Sequence, residues 1–231
     1  VRLENLPESS RYYTGAGLYR GVRLVILNPV HVAHWGTFVT TPVVSVDKAI
    51  VDVRTNVCVR TKQKGKIKLV TEILDQEGKK VAKAISTSHQ ADSIFYHQKL
   101  QMKSPHLWSV SSPYLYSVLS KVFVDGKMAD CYLTTMGIRS IDFDTNKGFL
   151  LNGQPFKLKG VCLHHDLGPI GAAVNVAALK RQLRLLKEMG SNAIRTSHNP
   201  PSREFLQLTD SMGFVVQVEA FDEWKVAKNL N

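Results

Sequence analysis

The sequence predicts a multidomain chain in which an antiparallel β-sandwich of the immunoglobulin type is followed by an α/β segment with parallel strands. Across residues 29–137 apolar side chains recur at every second position without a helical stretch, which is typical of half-buried strands. After a boundary near residues 137–144, strands alternate with amphipathic helices, the pattern of a parallel sheet covered by helices. With 231 residues, 44% of them hydrophobic, the chain has room for more than one core.

The first 27 residues read as two short strands around a turn at residues 13–17. This segment is too short to bury a core alone. The sandwich begins after it, and its alternation is clearest at residues 51–59. There, five residues share an apolar face, namely Val51, Val53, Thr55, Val57 and Val59. The polar residues between and after them are predicted to face solvent: Asp52, Arg54, Asn56 and Arg60.

Turns at residues 62–65 and 75–78 bound a second strand at residues 66–74. Further strand candidates are residues 93–100, 114–124 and 131–136. Six or seven short strands over roughly a hundred residues, joined by turns, favour an immunoglobulin-type sandwich.

The aromatic residues near the end of the sandwich allow two interpretations. Trp108, Tyr114 and Tyr116 could form a platform on which sugar rings stack. We favour a role in the core or in a domain contact, because Trp and Tyr are commonly buried with only a polar tip exposed.

The α/β segment begins after a hairpin at residues 149–156, in which Asn152 and Gly153 form the two-residue turn. The first strand is predicted at residues 157–163. A helix capped by Asn175 follows and ends at Gly190; its apolar face is made of Val176, Leu179, Leu183 and Leu186.

The second strand is predicted at residues 192–196, and Pro200 and Pro201 end the polar run that follows it. A second helix would start at the N-cap Ser202 and stop at Gly213, with Phe205, Leu208 and Met212 at helical spacing. Residues 214–219 form the third strand.

Ionisable residues stand at the end of each predicted parallel strand. They are His164, His165 and Asp166 after the first, Arg195 and His198 at the second, and Glu219 at the third. Because parallel strands end at one edge of a sheet, we expect these side chains at a common rim, where α/β proteins place their sites.

Composition disfavours several function classes. A net charge of +11 could indicate nucleic-acid binding. The lysines are scattered over turns and strands without interleaved aromatic residues, so we interpret them as belonging to solvent-exposed strand faces. No stretch is long and apolar enough for a membrane span, and no signal peptide opens the chain. Three cysteines form no motif, so free, buried thiols are expected.

Several motifs resemble one family. The run NAIRTSHNPP followed by FLQLTDSMGFVV, and the run GVCLHHD at residues 160–166, are similar to signatures of glycoside hydrolase family two, which contains β-galactosidases and β-glucuronidases. The resemblance continues in the family's order through MGIRSIDFDTNKGFLLNGQPFKLKG, LWSVSSPYLYSV and SRYYTGAGLYRGVRL. It implies three domains: the end of a sugar-binding jelly roll at residues 1–28, the sandwich at 29–138, and the first three units of a TIM (β/α)8 barrel at 139–231.

The resemblance also implies an activity. Family members hydrolyse β-glycosides with retention, using two glutamates from the fourth and seventh barrel strands. Because this chain stops after the third strand, we expect it to lack both, with the acid/base and the nucleophile beyond Asn231, and to be inactive alone. His164 and His198 would line the subsite of the nonreducing sugar, Arg195 would lie under the nucleophile, and Glu219 would be a structural carboxylate.

Two departures affect the expected ligands. Asn199 replaces the family's usual tyrosine, and we keep it among the substrate-binding candidates. Glu223 and Lys225 occupy positions where galactosidases supply a glutamate and a histidine to magnesium. An ammonium group cannot bind a metal ion, so we predict no metal or other cofactor and expect Glu223 to contact sugar or an arginine.

Two hypotheses remain for the whole protein. It is part of a retaining β-glycosidase, β-galactosidase-like and acting on terminal β-glycosides of oligo- or polysaccharides, or it is a non-catalytic carbohydrate-binding or scaffold sandwich. A carbohydrate is the expected partner, with no nucleic acid or membrane. The sequence leaves open a homo-oligomer in a full-length enzyme, and periplasmic or secreted localisation.

Overall fold

The computed structural model describes Arg2 and residues 20–60, 65–89 and 93–220. The chain divides into two compact units. One is Leu24–Lys157, and the described part of the other consists of residues 158–220 together with Arg2 and residues 20–23. The turn predicted at residues 62–65 lies largely outside the described residues, as do nearly all of the first 19 residues and everything after residue 220, including Glu223 and Lys225.

Seven antiparallel strands form the predicted sandwich in the first unit. Sheet one has the order β1-β2-β5 and sheet two the order β4-β3-β6-β7. The strands are β1 (Val30–Val44), β2 (Lys48–Val59), β3 (Lys66–Leu74), β4 (Lys80–His89), β5 (Ser93–Lys103), β6 (Tyr116–Val124) and β7 (Lys127–Met136). The sequence had not singled out β1 and β4, whose alternation is weaker.

The alternation in β2 places its side chains as predicted, with one exception. Val51, Val53 and Val57 are fully buried between the sheets, and Arg54 is exposed. Asp52 was expected to face solvent but is buried. Its carboxylate accepts a hydrogen bond from His97 Nε2 at 2.6 Å, and this pairing across β2 and β5 compensates the burial.

Trp108 belongs to the core of the sandwich, as favoured. Its side chain is 1% exposed, its backbone N–H donates to the carbonyl of Ile138 at 2.8 Å, and the Arg139 guanidinium lies 4.8 Å from the ring centroid. Tyr116 is also buried, so neither residue offers an aromatic platform to a ligand.

A three-stranded hairpin sheet completes this unit, with β8 (Ile141–Asp144), β9 (Gly148–Leu151) and β10 (Gln154–Pro155) in the order β10-β9-β8. Asn152 and Gly153 form the predicted turn, both with positive φ. The Asn152 side chain donates to the carbonyl of Trp108 at 3.1 Å and accepts from the N–H of Ser140 at 3.0 Å, which ties the hairpin to the sandwich.

This connection predicts the stability of isolated fragments. Residues 24–157 expressed alone should unfold cooperatively, whereas residues 29–137 should melt at a lower temperature. The shorter piece loses Ile138, which is fully buried in the core, and the Asn152 bonds to Trp108 and Ser140. Circular dichroism melts would test this, and equal melting temperatures for both pieces would show that the hairpin adds no stability.

Three parallel strands and two helices form the predicted β-α-β-α-β segment of the second unit. The elements are β11 (Gly160–Leu163), α1 (Val176–Glu188), β12 (Ala193–Thr196), α2 (Arg203–Met212) and β13 (Val215–Val218), and the sheet order is β11-β12-β13. Asn175 caps α1 by accepting from Ala178 N, Ser202 caps α2 by accepting from Phe205 N, and Gly213 ends α2 in the left-handed conformation, all as predicted.

One small core holds the second unit together. Its buried members come from both helices, the central strand and the residue before β13: Leu179, Leu183, Ile194, Phe205 and Phe214. The helices therefore cover one face of the sheet. Among the described residues, no helix has the length and apolar character needed to cross a membrane.

Candidate functional site

The parallel register brings the predicted rim residues to one edge of the sheet. Leu163, Thr196 and Val218 lie level in neighbouring strands. His164, Ser197 and Glu219 each follow directly, so side chains from three separate segments meet there. The predicted rim is therefore present at the carboxyl ends of β11, β12 and β13.

Glu219 lies at the centre of these contacts. Its Oε1 accepts a hydrogen bond from Arg195 Nε at 2.5 Å, and its Oε2 accepts one from His198 Nδ1 at 2.8 Å. The Glu219 N–H donates to Thr196 Oγ1 at 3.1 Å. Through its carboxylate and its backbone N–H, Glu219 thus joins the end of β13 to Arg195 and Thr196 of β12 and to His198 beyond that strand.

The electrostatics of this cluster favour an ionised Glu219. Burial raises the pKa of its carboxyl group, but the hydrogen bonds from Arg195 and His198 and the charge of Arg195 outweigh that effect, so the pKa is lowered. A carboxylate that is ionised at neutral pH can only accept hydrogen bonds.

The two histidines named from the sequence lie side by side. The ring centroids of His164 and His198 are 5.6 Å apart in an edge-to-face arrangement. His164 is exposed, and the side chain of His198 is 19% exposed. Both imidazoles therefore lie at the surface of the rim, where hydroxyl groups of a ligand could reach them.

The other predicted site residues are distributed differently. Asn199 is exposed and, together with His164 and His165, borders an open cleft between the β11–α1 loop and α2. Leu167, Val174 and Phe205 supply apolar walls to the same cleft. Glu223 lies outside the described residues, so its predicted contact with sugar stays a prediction.

Sequence reasoning assigned Glu219 a structural role and did not anticipate its pairing with both Arg195 and His198. The recurrence of ionisable residues at all three strand ends was the available signal. Which of these residues pair with each other could not be predicted from the sequence, since the pairing depends on side-chain directions at the strand ends. The Ser197–His198 peptide bond, which is cis, also had no signal in the sequence.

Cys162 contacts the same cluster from β11. The cysteines are free, as expected, but the expectation of burial is wrong, because Cys131 and Cys162 are exposed and Cys58 is only partly buried. Cys131 lies on the outward face of the edge strand β7. The Cys162 thiol lies 3.6 Å from Arg195 Nη1, and the hydrogen bond from Arg195 lowers the pKa of the thiol.

This contact predicts a difference in thiol reactivity within the chain. At neutral pH Cys162 should be alkylated by iodoacetamide several-fold faster than Cys131, because a lower pKa gives a larger thiolate fraction. Peptide mapping by mass spectrometry would measure both rates. Replacing Arg195 by methionine should remove the difference; equal rates in the unaltered chain would contradict the contact.

No group of three or more His, Cys, Asp or Glu side chains able to hold a metal ion occurs in the described ranges. At the rim, Glu219 is paired with a guanidinium and an imidazole instead. The prediction that the protein needs no cofactor is left as a prediction, since Glu223 is outside these ranges.

Two family models match this chain in succession. The model of glycosyl hydrolases family 2 matches residues 30–139, and the model of the TIM barrel domain of glycosyl hydrolases family 2 matches residues 144–229. The chain belongs to glycosyl hydrolase family 2. This confirms the resemblance found in the sequence, and it identifies the parallel strands of this family 2 chain as the start of a TIM barrel.

Relatives of this family 2 chain include β-galactosidases and β-glucuronidases. The β-galactosidase BoGH2A of Bacteroides ovatus is 43% identical over 231 residues, which are 99% of this chain and 27% of the relative. A β-glucuronidase of Bacteroides fragilis is 31% identical over 228 residues, 94% of this chain and 32% of the relative. The chain thus spans about a quarter to a third of these relatives.

A solved structure of a glycosyl hydrolase family 2 member from Bacteroides cellulosilyticus has the same fold. The two structures superimpose with a TM-score of 0.90 at 41% identity. The match covers 94% of this family 2 chain and 30% of the solved chain. Sandwich and barrel strands therefore follow each other as they do in a solved family member.

Proposed function

We propose that this chain is part of a retaining β-glycosidase, β-galactosidase-like, that hydrolyses terminal β-glycosides of oligo- or polysaccharides by a two-glutamate double displacement. Membership of the family supports a β-glycosidase. The observation that carries the proposal to this chain is the rim, where His164 and His198 stand together at the carboxyl ends of parallel barrel strands. TIM-barrel enzymes place their active sites at that face.

In this proposal the described residues bind and position the sugar rather than cleave the bond. Retention needs two carboxyl groups about 5 Å apart, one acting as acid/base and one as nucleophile. Glu219 is a poor candidate for either role, because both of its oxygens are engaged by Arg195 and His198. We therefore assign both catalytic glutamates to sequence beyond Asn231 in a full-length protein.

Arg195 has a second role in this assignment. Its side chain is 40% exposed, while its Nε is engaged by Glu219. A guanidinium at this place would favour the ionised form of a neighbouring nucleophile by Coulombic attraction. Arg195 would thus support the nucleophile, as the resemblance implied.

A galactoside is preferred over a glucuronide as substrate. Among relatives that match nearly the whole chain, the β-galactosidase of Bacteroides ovatus is 43% identical, a putative β-glucuronidase of Formosa agariphila 37% and the β-glucuronidase of Bacteroides fragilis 31%. A glucuronide carries a carboxylate that needs a cationic partner, and the Arg195 guanidinium at the described rim already pairs with the Glu219 carboxylate. Asn199 is exposed beside His198 and adds an uncharged donor and acceptor for sugar hydroxyls.

A panel of aryl β-glycosides tests the proposal. A full-length protein that carries this chain should hydrolyse the β-galactoside fastest, and the chain alone should hydrolyse none of them. Binding of saccharides by a full-length protein without turnover of any substrate would favour the carbohydrate-binding alternative. Turnover by the purified chain that disappears in Glu223→Gln would show that the catalytic glutamates were misplaced.

A further inference from the structure

One ring nitrogen of His198, Nδ1, lies within hydrogen-bond distance of two different side chains. Nδ1 lies 2.8 Å from Glu219 Oε2 and 3.3 Å from Arg195 Nη2. A guanidinium can only donate a hydrogen bond, and an ionised carboxylate can only accept one. Nδ1 cannot satisfy both, since it either carries a proton and donates or lacks one and accepts.

The geometry decides between these two states of the ring. The contact with Glu219 is the shorter, and it joins a charged acceptor to a ring N–H, which makes a stronger hydrogen bond than one between neutral groups. Arg195 loses nothing by this, because its Nε already donates to Oε1 of the same carboxylate. In the neutral ring, Nδ1 of His198 therefore carries the proton and Nε2 does not.

We infer that Glu219 is the positioning residue of this site: its carboxylate holds His198 as the Nδ1-protonated tautomer, so that Nε2 accepts a hydrogen bond from a hydroxyl of the bound sugar. The part that concerns the ring rests on the contacts alone, and the part that concerns the sugar rests on the proposed function. The tautomer of a histidine is commonly set by the group bonded to its other nitrogen.

The carboxylate can impose this state because it is itself held in place. The backbone N–H of Glu219 donates to Thr196 Oγ1, and Thr196 is 4% exposed. Arg195 holds Oε1 from β12, in the strand next to the one that Glu219 follows. Rotation of the carboxylate away from His198 would break the Arg195 bond as well, so the two contacts reinforce each other.

The assignment specifies how the sugar must bind. A hydroxyl that donates to Nε2 keeps its oxygen available to accept a bond from another group. Fluorine cannot donate a hydrogen bond. If Nε2 is an acceptor, replacing the contacted hydroxyl by fluorine should reduce binding as much as removing it does.

Nitrogen-15 NMR of the histidine side chains in this chain tests the inference without any activity. At a pH high enough for neutral rings, His198 should show a protonated Nδ1 and an unprotonated Nε2, with its signals identified by their loss in His198→Asn. In Glu219→Ala the ring should change to the Nε2-protonated tautomer or to a mixture. The matched control Glu188→Gln removes a carboxylate on α1 that pairs with Arg184 and should change nothing.

Two results would overturn the inference: an Nε2-protonated His198 in the unaltered chain, or an unchanged tautomer in a folded Glu219→Ala variant. If that variant does not fold, the tautomer in the unaltered chain still decides. The chain signals are independent of catalysis, so they stay informative even if a full-length protein hydrolyses no glycoside.

Kinetics in an active full-length protein separate positioning from a merely structural role. Partners that orient a ligating histidine are worth about 10- to 100-fold in metal sites, and we expect Glu219→Gln to lower kcat/KM by a similar factor. In the His198→Ala background the same change should cost little more, because the residue it positions is gone. Full additivity of the two losses would contradict a role through His198.

Discussion

Replacing His198 by alanine in a full-length protein that carries this chain is expected to lower kcat/KM for an aryl β-galactoside by roughly 10²- to 10⁴-fold. His198 is held at the rim by Glu219 and, under the proposed function, bonds a hydroxyl of the nonreducing sugar. Such bonds strengthen as the sugar distorts toward the transition state and supply several kcal/mol. Steady-state kinetics would measure the loss.

His165→Ala is the matched control, because it removes an imidazole from the same rim. His165 borders the cleft beside the β11–α1 loop and was not assigned to the sugar subsite. Its loss should change kcat/KM much less than the loss of His198. Equal and small losses in both variants would refute the assignment of His198 to the substrate.

The second large effect is expected on stability, where Trp108→Ala should lower the free energy of unfolding of the sandwich by about 3–5 kcal/mol. The Trp108 side chain is 1% exposed, and its removal leaves a cavity against the core and the Arg139 guanidinium. The free energy of unfolding of a native protein is typically about 5–15 kcal/mol. A loss of this size would therefore strongly shift the urea unfolding curve of residues 24–157.

Trp35→Ala provides the control for the size of the side chain. Trp35 lies on β1 with 84% of its surface exposed, so its replacement should change the free energy of unfolding by less than about 1 kcal/mol. Similar losses for the two variants would mean that Trp108 does not anchor the core.

Local sequence rules predicted the elements near the site well. The alternation of Val51, Val53 and Val57 predicted a buried strand face, and the caps Asn175 and Ser202 predicted where α1 and α2 begin. These features depend on backbone geometry within a few residues. The parallel rim also followed, because strands joined by helices must end at one edge.

Long-range pairing limited the rest of the prediction. Asp52 was placed on a solvent face by alternation alone, but His97, 45 residues further along the chain, covers it. The pairing of Glu219 with Arg195 and His198 likewise joins residues more than 20 positions apart. Neither pairing has a local signal, because each depends on the register between strands.

The anomeric configuration of the first product tests the central claim most directly. A full-length protein carrying this chain would be mixed with an aryl β-galactoside and followed by proton NMR before the free sugar equilibrates. A retaining β-glycosidase must release β-galactose first, since two displacements restore the original configuration. Initial release of α-galactose, or no turnover of any aryl β-glycoside, would contradict the account.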